Sequence, residues 1–133
     1  MLMEIAHIMA KRSTCSRLHV GAVISFYSRI VSTGYNGNLS GSQHCEHTEA
    51  DKNVPCTSTI HAELNAILWA ARKGAIPLAR TTIYVTDSPC YRCAQAIVNT
   101  GIVEVCYDKP YRDPLGLDIL HDAGVKVRQV SIS

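Results

Sequence analysis

The second half of the chain alternates strand and helix patterns, and this alternation constrains the fold more than any other feature of the sequence. Runs of β-branched and apolar residues are separated by segments with helical periodicity that end in glycine. The expected order is strand 82–86, helix 90–100, strand 102–107, helix 115–123 and strand 125–132. Helices placed between strands in this way favour parallel pairing with right-handed crossovers.

The first half of the chain predicts a helix followed by a β-hairpin. Apolar residues recur at three- and four-residue intervals over 1–11, which is typical of an amphipathic helix. Segments 19–26 and 29–33 are rich in β-branched residues, and the polar pair Tyr27 and Ser28 between them predicts a tight connection. The hairpin adds two strands to the three expected from the second half.

Turn residues and a second helical pattern follow the hairpin. The run Gly34-Tyr35-Asn36-Gly37 predicts a turn that ends the second strand. Segment 61–73 predicts a helix that ends before Gly74, with an apolar face formed by Leu64, Ile67, Leu68 and Ala71. These elements predict one domain over residues 1–133 with an α/β fold, a three-layer α-β-α sandwich around a mixed sheet of about five strands.

Charge and hydropathy exclude two classes of partner. The formal net charge is +2, far from the strongly basic surface that binds nucleic-acid phosphates. No apolar run approaches the roughly 20 residues that span a membrane. Glu4 and His7 interrupt the amino-terminal segment, which also lacks a cleavage-site pattern, so no signal peptide is expected. We therefore expect a cytoplasmic protein with no membrane or nucleic-acid partner.

Two short motifs carry the candidate chemistry: His61-Ala62-Glu63 and Pro89-Cys90-Tyr91-Arg92-Cys93. Each begins a predicted helix. Cys90 and Cys93 are three residues apart, so both can face one ion from the first turn, where the helix dipole favours thiolates. With His61 they supply three ligands and leave the fourth tetrahedral position for water, the pattern of a catalytic zinc.

Glu63 has a separate expected role as a catalytic proton carrier. Residues two apart on a helix point about 200° from each other, so Glu63 and His61 can serve one site only from the first turn. There Glu63 can take a proton from zinc-bound water and pass it to the substrate. The alternative is a zinc clip that only stabilises the fold, which leaves the position of Glu63 unexplained.

Further segments complete a family pattern. His-x-Glu followed by Pro-Cys-x-x-Cys is typical of zinc-dependent base deaminases. The remaining matching segments are Val20-Gly21-Ala22-Val23-Ile24, Gly34-Tyr35-Asn36-Gly37, His61-Ala62-Glu63-Leu64-Asn65-Ala66-Ile67, Ser88-Pro89-Cys90-Tyr91-Arg92-Cys93-Ala94 and Gly101-Ile102. On these residues the sequence resembles the deoxycytidylate (dCMP) deaminases, particularly the short bacteriophage members, within the zinc-dependent cytidine deaminase superfamily.

The resemblance implies a cytidine deaminase-like fold and a specific activity. It implies hydrolysis of dCMP to dUMP and ammonia, which feeds thymidylate synthesis, in the cytoplasm (the host's cytoplasm for a viral protein). It also implies a homo-oligomer, typically a hexamer, activated by dCTP and inhibited by dTTP, each bound with Mg²⁺. The effector site implied by the turn and the zinc helix consists of Gly34, Tyr35, Gly37 and Arg72. Trp69, on the same helix, is either a core or an interface residue.

Candidate substrate contacts come partly from the resemblance and partly from position. The resemblance implies that Asn36 contacts the sugar and that Ser88 lies in the substrate site. Tyr111 and Arg112 follow the fourth strand, where a substrate crevice is expected, and could cover the base and hold the phosphate. Arg17 and His19 are rival phosphate ligands.

The remaining cysteines and histidines leave two interpretations open. The sequence has six cysteines, and in a reducing compartment such residues are metal ligands or buried thiols before they are disulfides. The long polar segment 38–58 could be fixed by a second, structural zinc held by Cys15, Cys45, His47 and Cys56, with His44 as a further donor. Alternatively these thiols are buried without a ligand. Cys106, in an apolar strand, is expected in the core.

Two other classes of function remain as alternatives. One is a different deaminase of the superfamily, acting on tRNA adenosine, a nucleoside or a pterin-like ring. A tRNA enzyme needs a basic surface, which the small net charge does not favour. The other is a zinc-stabilised module that binds nucleotides without turning them over, for which a carboxylate at position 63 has no purpose.

Overall fold

A computed structural model of the chain describes residues 1–13, 18–38, 59–74, 77–111 and 113–132. Several residues predicted to bind metal or phosphate lie outside the described residues: Cys15, Arg17, His44, Cys45, His47, Cys56 and Arg112. Their predicted roles stay predictions.

Helices and strands follow one another in the predicted order. The helices are α1 (Leu2–Ala10), α2 (Ala62–Arg72), α3 (Tyr91–Thr100) and α4 (Leu115–Asp122). The strands are β1 (Gly21–Phe26), β2 (Arg29–Tyr35), β3 (Gly37–Asn38), β4 (Thr59–Ile60), β5 (Thr82–Asp87), β6 (Glu104–Lys109) and β7 (Lys126–Gln129). The helices within the described residues are too short or too polar to cross a membrane.

Five of the strands form one mixed sheet in the order β2-β1-β5-β6-β7, and β3 pairs with β4 in a small separate ladder. Strand β1 is antiparallel to both β2 and β5. Strands β5, β6 and β7 are parallel, because the helical crossovers α3 and α4 return the chain to the same end of the sheet. The predicted mixed sheet with parallel pairing in its second half is confirmed.

Helices cover both faces of the sheet, as the three-layer prediction requires. Helix α1 packs on one face over Val23 and Cys106, so Cys106 is the core residue that the sequence predicts. Helices α2, α3 and α4 cover the other face, over a larger core that includes Ile83, Val85 and Val105. Because β5, β6 and β7 are parallel, their carboxyl ends lie at the same end of the sheet, where the chain enters α3.

The hairpin turn is confirmed, but the second strand is longer than predicted. Tyr27 and Ser28 have positive φ angles of 48° and 66°, which matches the twist of a two-residue hairpin turn. Strand β2 continues to Tyr35, so the turn expected from residue 34 is wrong. A Cβ at Gly34 would overlap the carbonyl oxygen of Ala62 and lie 2.6 Å from the amide nitrogen of Ala66. Gly34 therefore permits close approach of α2 to β2 and does not serve as a turn residue.

Helix α2 is confirmed, but it buries a different face from the one predicted. Its buried residues are Ala62, Glu63, Ala66 and Ala70, whereas Leu68 is 53% exposed. The close contact with Gly34 admits only small side chains at this interface. The fully buried face of α2 is therefore a stripe of alanines, whereas on the predicted face Leu68 is exposed and Ile67 packs only partly against the core.

Candidate active site

The two motifs lie at two helix starts that face each other. His61 is the N-cap of α2 and Cys90 is the N-cap of α3, both with extended backbone. Cys93 lies in the first turn of α3 and is buried. The unpaired N–H groups at these ends give each helix start a partial positive charge. The site therefore favours thiolate and carboxylate groups.

The ligand atoms of His61, Cys90 and Cys93 form one compact cluster. The Nδ1 atom of His61 lies 3.3 Å from the Cys93 Sγ atom and 3.5 Å from the Cys90 Sγ atom. All three ligand atoms lie within 4.8 Å of one another. A tetrahedral zinc with bonds of about 2.0–2.3 Å needs ligands at roughly such separations, so the donor set and its geometry fit zinc.

Without metal, the two cysteines share one proton. The hydrogen bond from the Cys93 thiol lowers the pKa of Cys90 to about 4, against the opposing effect of burial. The same hydrogen bond, together with burial, raises the pKa of Cys93 far above its usual range. This arrangement favours the thiolate form of Cys90, and a bound zinc would take the place of the Cys93 proton.

Glu63 is buried beside the cluster, with 4% of its surface exposed. Desolvation by burial raises its pKa from 4.5 to about 7, while a backbone hydrogen bond and the charge of His61 lower it. The charges of Cys90 and Asp87 raise it further. A carboxyl group that titrates near neutral pH can both accept and release a proton, as general acid–base catalysis requires.

Asn36 and His19, two of the predicted substrate contacts, lie on adjoining segments. Asn36 is buried, its Oδ1 accepts a hydrogen bond from the Val20 amide at 2.8 Å, and its Nδ2 donates to the Leu18 carbonyl at 2.6 Å. Asn36 thereby fixes the backbone on either side of His19, which is exposed.

Ser88 and Tyr111, the other described candidates, are joined directly. The Ser88 hydroxyl accepts a hydrogen bond from the Tyr111 amide at 2.6 Å, and the Ser88 amide donates to the Lys109 carbonyl at 2.8 Å. Ser88 is buried. The segment that follows β6 is thus held against the entry to α3, beside the zinc ligand cluster.

The predicted effector residues line one cavity of about 580 Å³ at the β2 edge of the sheet. Its wall includes Gly34, Tyr35, Gly37 and Arg72, together with Arg12. The Arg12 guanidinium lies 5.9 Å from the centre of the Tyr35 ring, within cation–π range. Trp69 also lines the cavity and is 45% exposed, so it does not belong to the core of this chain.

Sequence reasoning missed three residues next to the site. Asp87 ends β5 and has a pKa raised by burial. Its position at the carboxyl end of a parallel strand was the available signal. Asn65 bonds to the backbone of residues 35 and 60, and a Cβ on Gly116 would overlap the carbonyl oxygen of Pro89. The contacts of Asn65 with Tyr35 and of Gly116 with Pro89 join residues that are distant in the chain, so no local sequence pattern marks them.

Comparisons with known proteins agree with this site. The family model described as the cytidine and deoxycytidylate deaminase zinc-binding region matches residues 1–109. The chain is 41% identical over 133 residues to the ComE operon protein 2 of Bacillus subtilis, covering 96% of this chain and 68% of the relative. It is 34% identical over 170 residues to the deoxycytidylate deaminase of enterobacteria phage T2, covering 97% and 90%.

A solved structure extends the agreement to three dimensions. The dCMP deaminase of cyanophage S-TIM5, in complex with dCMP and dUMP, has a TM-score of 0.86 and 30% identity over 96% of this chain and 93% of that chain. The family match includes both motifs, and the structure brings their histidine, cysteines and glutamate together. The chain therefore belongs to the cytidine and deoxycytidylate deaminase family and is a zinc-dependent deaminase.

Proposed function

We propose that the chain hydrolyses dCMP to dUMP and ammonia as a single deaminase domain. The observation that carries the proposal is Glu63, a carboxyl group buried beside three side chains that fit zinc, whose pKa burial raises to about 7 in the metal-free chain. The choice of substrate is supported by the phage T2 deoxycytidylate deaminase and by the cyanophage enzyme that binds dCMP and dUMP. We further infer that the product serves thymidylate synthesis.

The chemistry divides between the metal and the chain. Zinc held by His61, Cys90 and Cys93 would lower the pKa of a bound water towards 7 and so supply the nucleophile. Glu63 accepts the water proton and passes it to the ring nitrogen beside C4. A carbon–oxygen bond forms at C4. Glu63 then takes the proton of the new C4 hydroxyl and delivers it to the amino nitrogen, the bond from C4 to that nitrogen breaks, and ammonia leaves as the C4 carbonyl forms. Burial keeps this carboxyl group from exchanging protons freely with solvent.

We assign substrate positioning to the segments around the cluster. Asn36 fixes the backbone of Leu18 and Val20, so His19 between them is well placed to meet the phosphate. Ser88 and Tyr111 line the base site from the opposite segment. Arg17 and Arg112 remain alternative phosphate ligands on the sequence argument alone.

The cavity at the β2 edge supports regulation by nucleoside triphosphates. Its volume of about 580 Å³ suits a small ligand, and Arg12 and Arg72 in its wall supply positive charge for phosphates. We propose that dCTP with Mg²⁺ activates and dTTP inhibits from this cavity, in a homo-oligomer that we expect to be a hexamer. Trp69 and Leu68 in its wall are exposed and are available for subunit contact.

Ammonia release from dCMP tests the activity directly. The parent protein should convert dCMP faster than deoxycytidine, because the phosphate adds binding energy. Glu63→Gln should retain zinc and lose turnover by at least about 10²-fold, the lower end of general acid–base effects. Glu4→Gln is the matched control, since this glutamate is 68% exposed on α1. Near-normal turnover in Glu63→Gln contradicts the proton-carrier role.

The substrate panel also separates the other interpretations. Turnover of tRNA adenosine or a pterin-like ring in place of dCMP identifies a different deaminase. Nucleotide binding with zinc present and no turnover of any substrate identifies a binding module.

A separate experiment tests regulation. A dCMP saturation curve is measured alone, with dCTP and with dTTP, each with Mg²⁺. Arg72→Ala should weaken both responses, because Arg72 lines the cavity. Lys73→Ala is the matched control, since its ammonium lies over the same Trp69 ring at 5.5 Å and does not line that cavity. Identical curves under all three conditions refute regulation.

A further inference from the structure

The orientation of the peptide group between Ile60 and His61 affects the direction in which the His61 side chain points at the metal site. The carbonyl group of Ile60 and the amide of His61 lie in one rigid plane. Rotation of this plane turns the backbone that carries the imidazole ring. Within the described residues, strand β4, which leads into this peptide, consists of Thr59 and Ile60 and pairs with Asn38 and Gly37. The ladder ends at Ile60, so contacts from other elements also set the orientation of this plane.

Asn65 supplies such a contact from the first turn of α2. Its side-chain Nδ2 donates hydrogen bonds to the carbonyl oxygens of Tyr35 at 2.8 Å and of Ile60 at 3.4 Å. Its backbone amide bonds to the His61 carbonyl at 2.9 Å. Both side-chain partners are carbonyl oxygens, which only accept, so only the NH₂ end of the amide fits here.

One side chain thus joins three elements around the metal ligand. Asn65 links the last residue of β2, the residue before His61 and the helix that His61 begins. We propose that Asn65 is a positioning residue for the metal, which holds the Ile60–His61 peptide so that the His61 ring faces Cys90 and Cys93. This inference rests on the zinc role given to His61 above.

The test compares two side chains that make the same kind of bond at the same interface. Asn65→Leu removes the two donated bonds and keeps the side-chain branch at Cγ. Ser32→Ala is the matched control, because the Ser32 hydroxyl donates to the Ala66 carbonyl at 2.8 Å. Both changes loosen the contact between β2 and α2, and Ser32→Ala leaves residues 35 and 60 untouched.

The readout is metal affinity and not turnover. Metal-free protein is titrated with Co²⁺ or Zn²⁺ against a chelator, and the contribution of this site is the part lost in His61→Ala. Asn65→Leu should weaken binding by about tenfold, the lower range for residues that orient a metal ligand, and Ser32→Ala by less than about twofold. Thermal unfolding of the metal-free variants measures the stability that both changes remove.

Asn65→Ala serves as a second variant if Asn65→Leu does not fold. Alanine removes both donated bonds and adds no charge beside the metal ligands, so metal affinity should again fall. Affinity equal to that of Ser32→Ala in whichever of these variants folds overturns the inference. If the parent binds zinc through His61 but does not deaminate dCMP, the proposed substrate is wrong, and the affinity comparison still decides the role of Asn65.

Discussion

The zinc cluster is built from two arms that the fold supports in different ways. The cysteine arm, residues 88–93, follows β5, which is paired on both sides by β1 and β6. Ser88 and Pro89 within it are buried. The histidine arm, residues 59–63, begins with strand β4, which pairs with β3 over two residues in the described part of the chain, and His61 is exposed.

This difference separates two ways of placing a metal ligand. Backbone ladders and close packing hold the cysteine arm, and these also stabilise the whole sheet. Side-chain hydrogen bonds and the contact of α2 with β2 hold the histidine arm. Changes in the cysteine arm should therefore affect stability and metal binding together, whereas changes in the histidine arm should affect metal binding first.

Removal of one ligand from each arm should have the largest effect. His61→Ala and Cys93→Ala should both lose zinc and reduce turnover to background. In the metal-free state Cys93→Ala should lower the free energy of unfolding more than His61→Ala does, by about 1–3 kcal/mol, because the buried Cys93 thiol is the stronger of the two hydrogen-bond partners of the Cys90 thiolate. Bound zinc, ammonia release and denaturant unfolding measure the three effects. Equal stability of the two metal-free variants would argue against the contrast between the arms.

The buried carboxyl group of the histidine arm should make stability depend on pH. In the metal-free protein the pKa of Glu63 is about 7, compared with 4.5 for an exposed group. Between these values the folded state holds more protons, so its stability falls as pH rises. Glu63→Gln lacks this loss, and its advantage over the parent should grow by about 3 kcal/mol from pH 4.5 to just above 7. A pH-independent difference between the two proteins contradicts this assignment.

Each arm packs closely against one glycine: Gly116 contacts the cysteine arm and Gly34 contacts helix α2 next to the histidine arm. Alanine at either position should disrupt that contact. At Gly116 a Cβ would overlap the Pro89 carbonyl oxygen and lie 2.9 Å from the Cys90 carbonyl carbon, whereas at Gly34 it would meet α2 at Ala62 and Ala66. Each alanine should lower the free energy of unfolding by about 1–3 kcal/mol, as overpacking does. Gly124→Ala is the control for backbone strain alone: nothing lies within 4 Å of its Cβ position, but its φ of +81° disfavours alanine, so it should lose stability without disturbing either arm.

Metal affinity tests whether each glycine contact helps to hold the metal ligand of its arm in place. Gly116→Ala displaces Cys90 directly, whereas Gly34→Ala moves the helix that begins with His61. Both should bind zinc more weakly than Gly124→Ala. Unchanged affinity in Gly34→Ala would mean that the histidine arm does not depend on the contact between α2 and β2.

The smallest effect should come from the hydroxyl group that joins the cysteine arm to the segment after β6. Ser88→Ala leaves the Tyr111 amide without its acceptor at 2.6 Å, which costs about 1 kcal/mol. We expect a higher KM for dCMP with little change in zinc content. Thr100→Ala, which removes a similar bond to Ile97 at the far end of α3, is the control. An equal KM in both variants would show that Ser88 does not contribute to the substrate site.

The sequence alone determined the ligand set, the order of elements and the mixed sheet. His61, Cys90 and Cys93 carry this information locally, because zinc needs particular donor atoms and each motif begins a helix. Glycines 101 and 124 have the positive φ angles expected after α3 and α4. These patterns involve residues that are close together in the sequence, so they can be recognised without knowledge of the tertiary structure.

The tertiary structure decided which faces meet and what holds the site. The leucine-rich face of α2 was a reasonable prediction from periodicity, yet the alanine face is buried because Gly34 brings the backbone of β2 close. Asn65 reaches a carbonyl 30 residues away, and Asn36 one 18 residues away. A bond from a side chain to a distant backbone carbonyl requires no particular residue at the accepting position, so it leaves no pattern in the sequence.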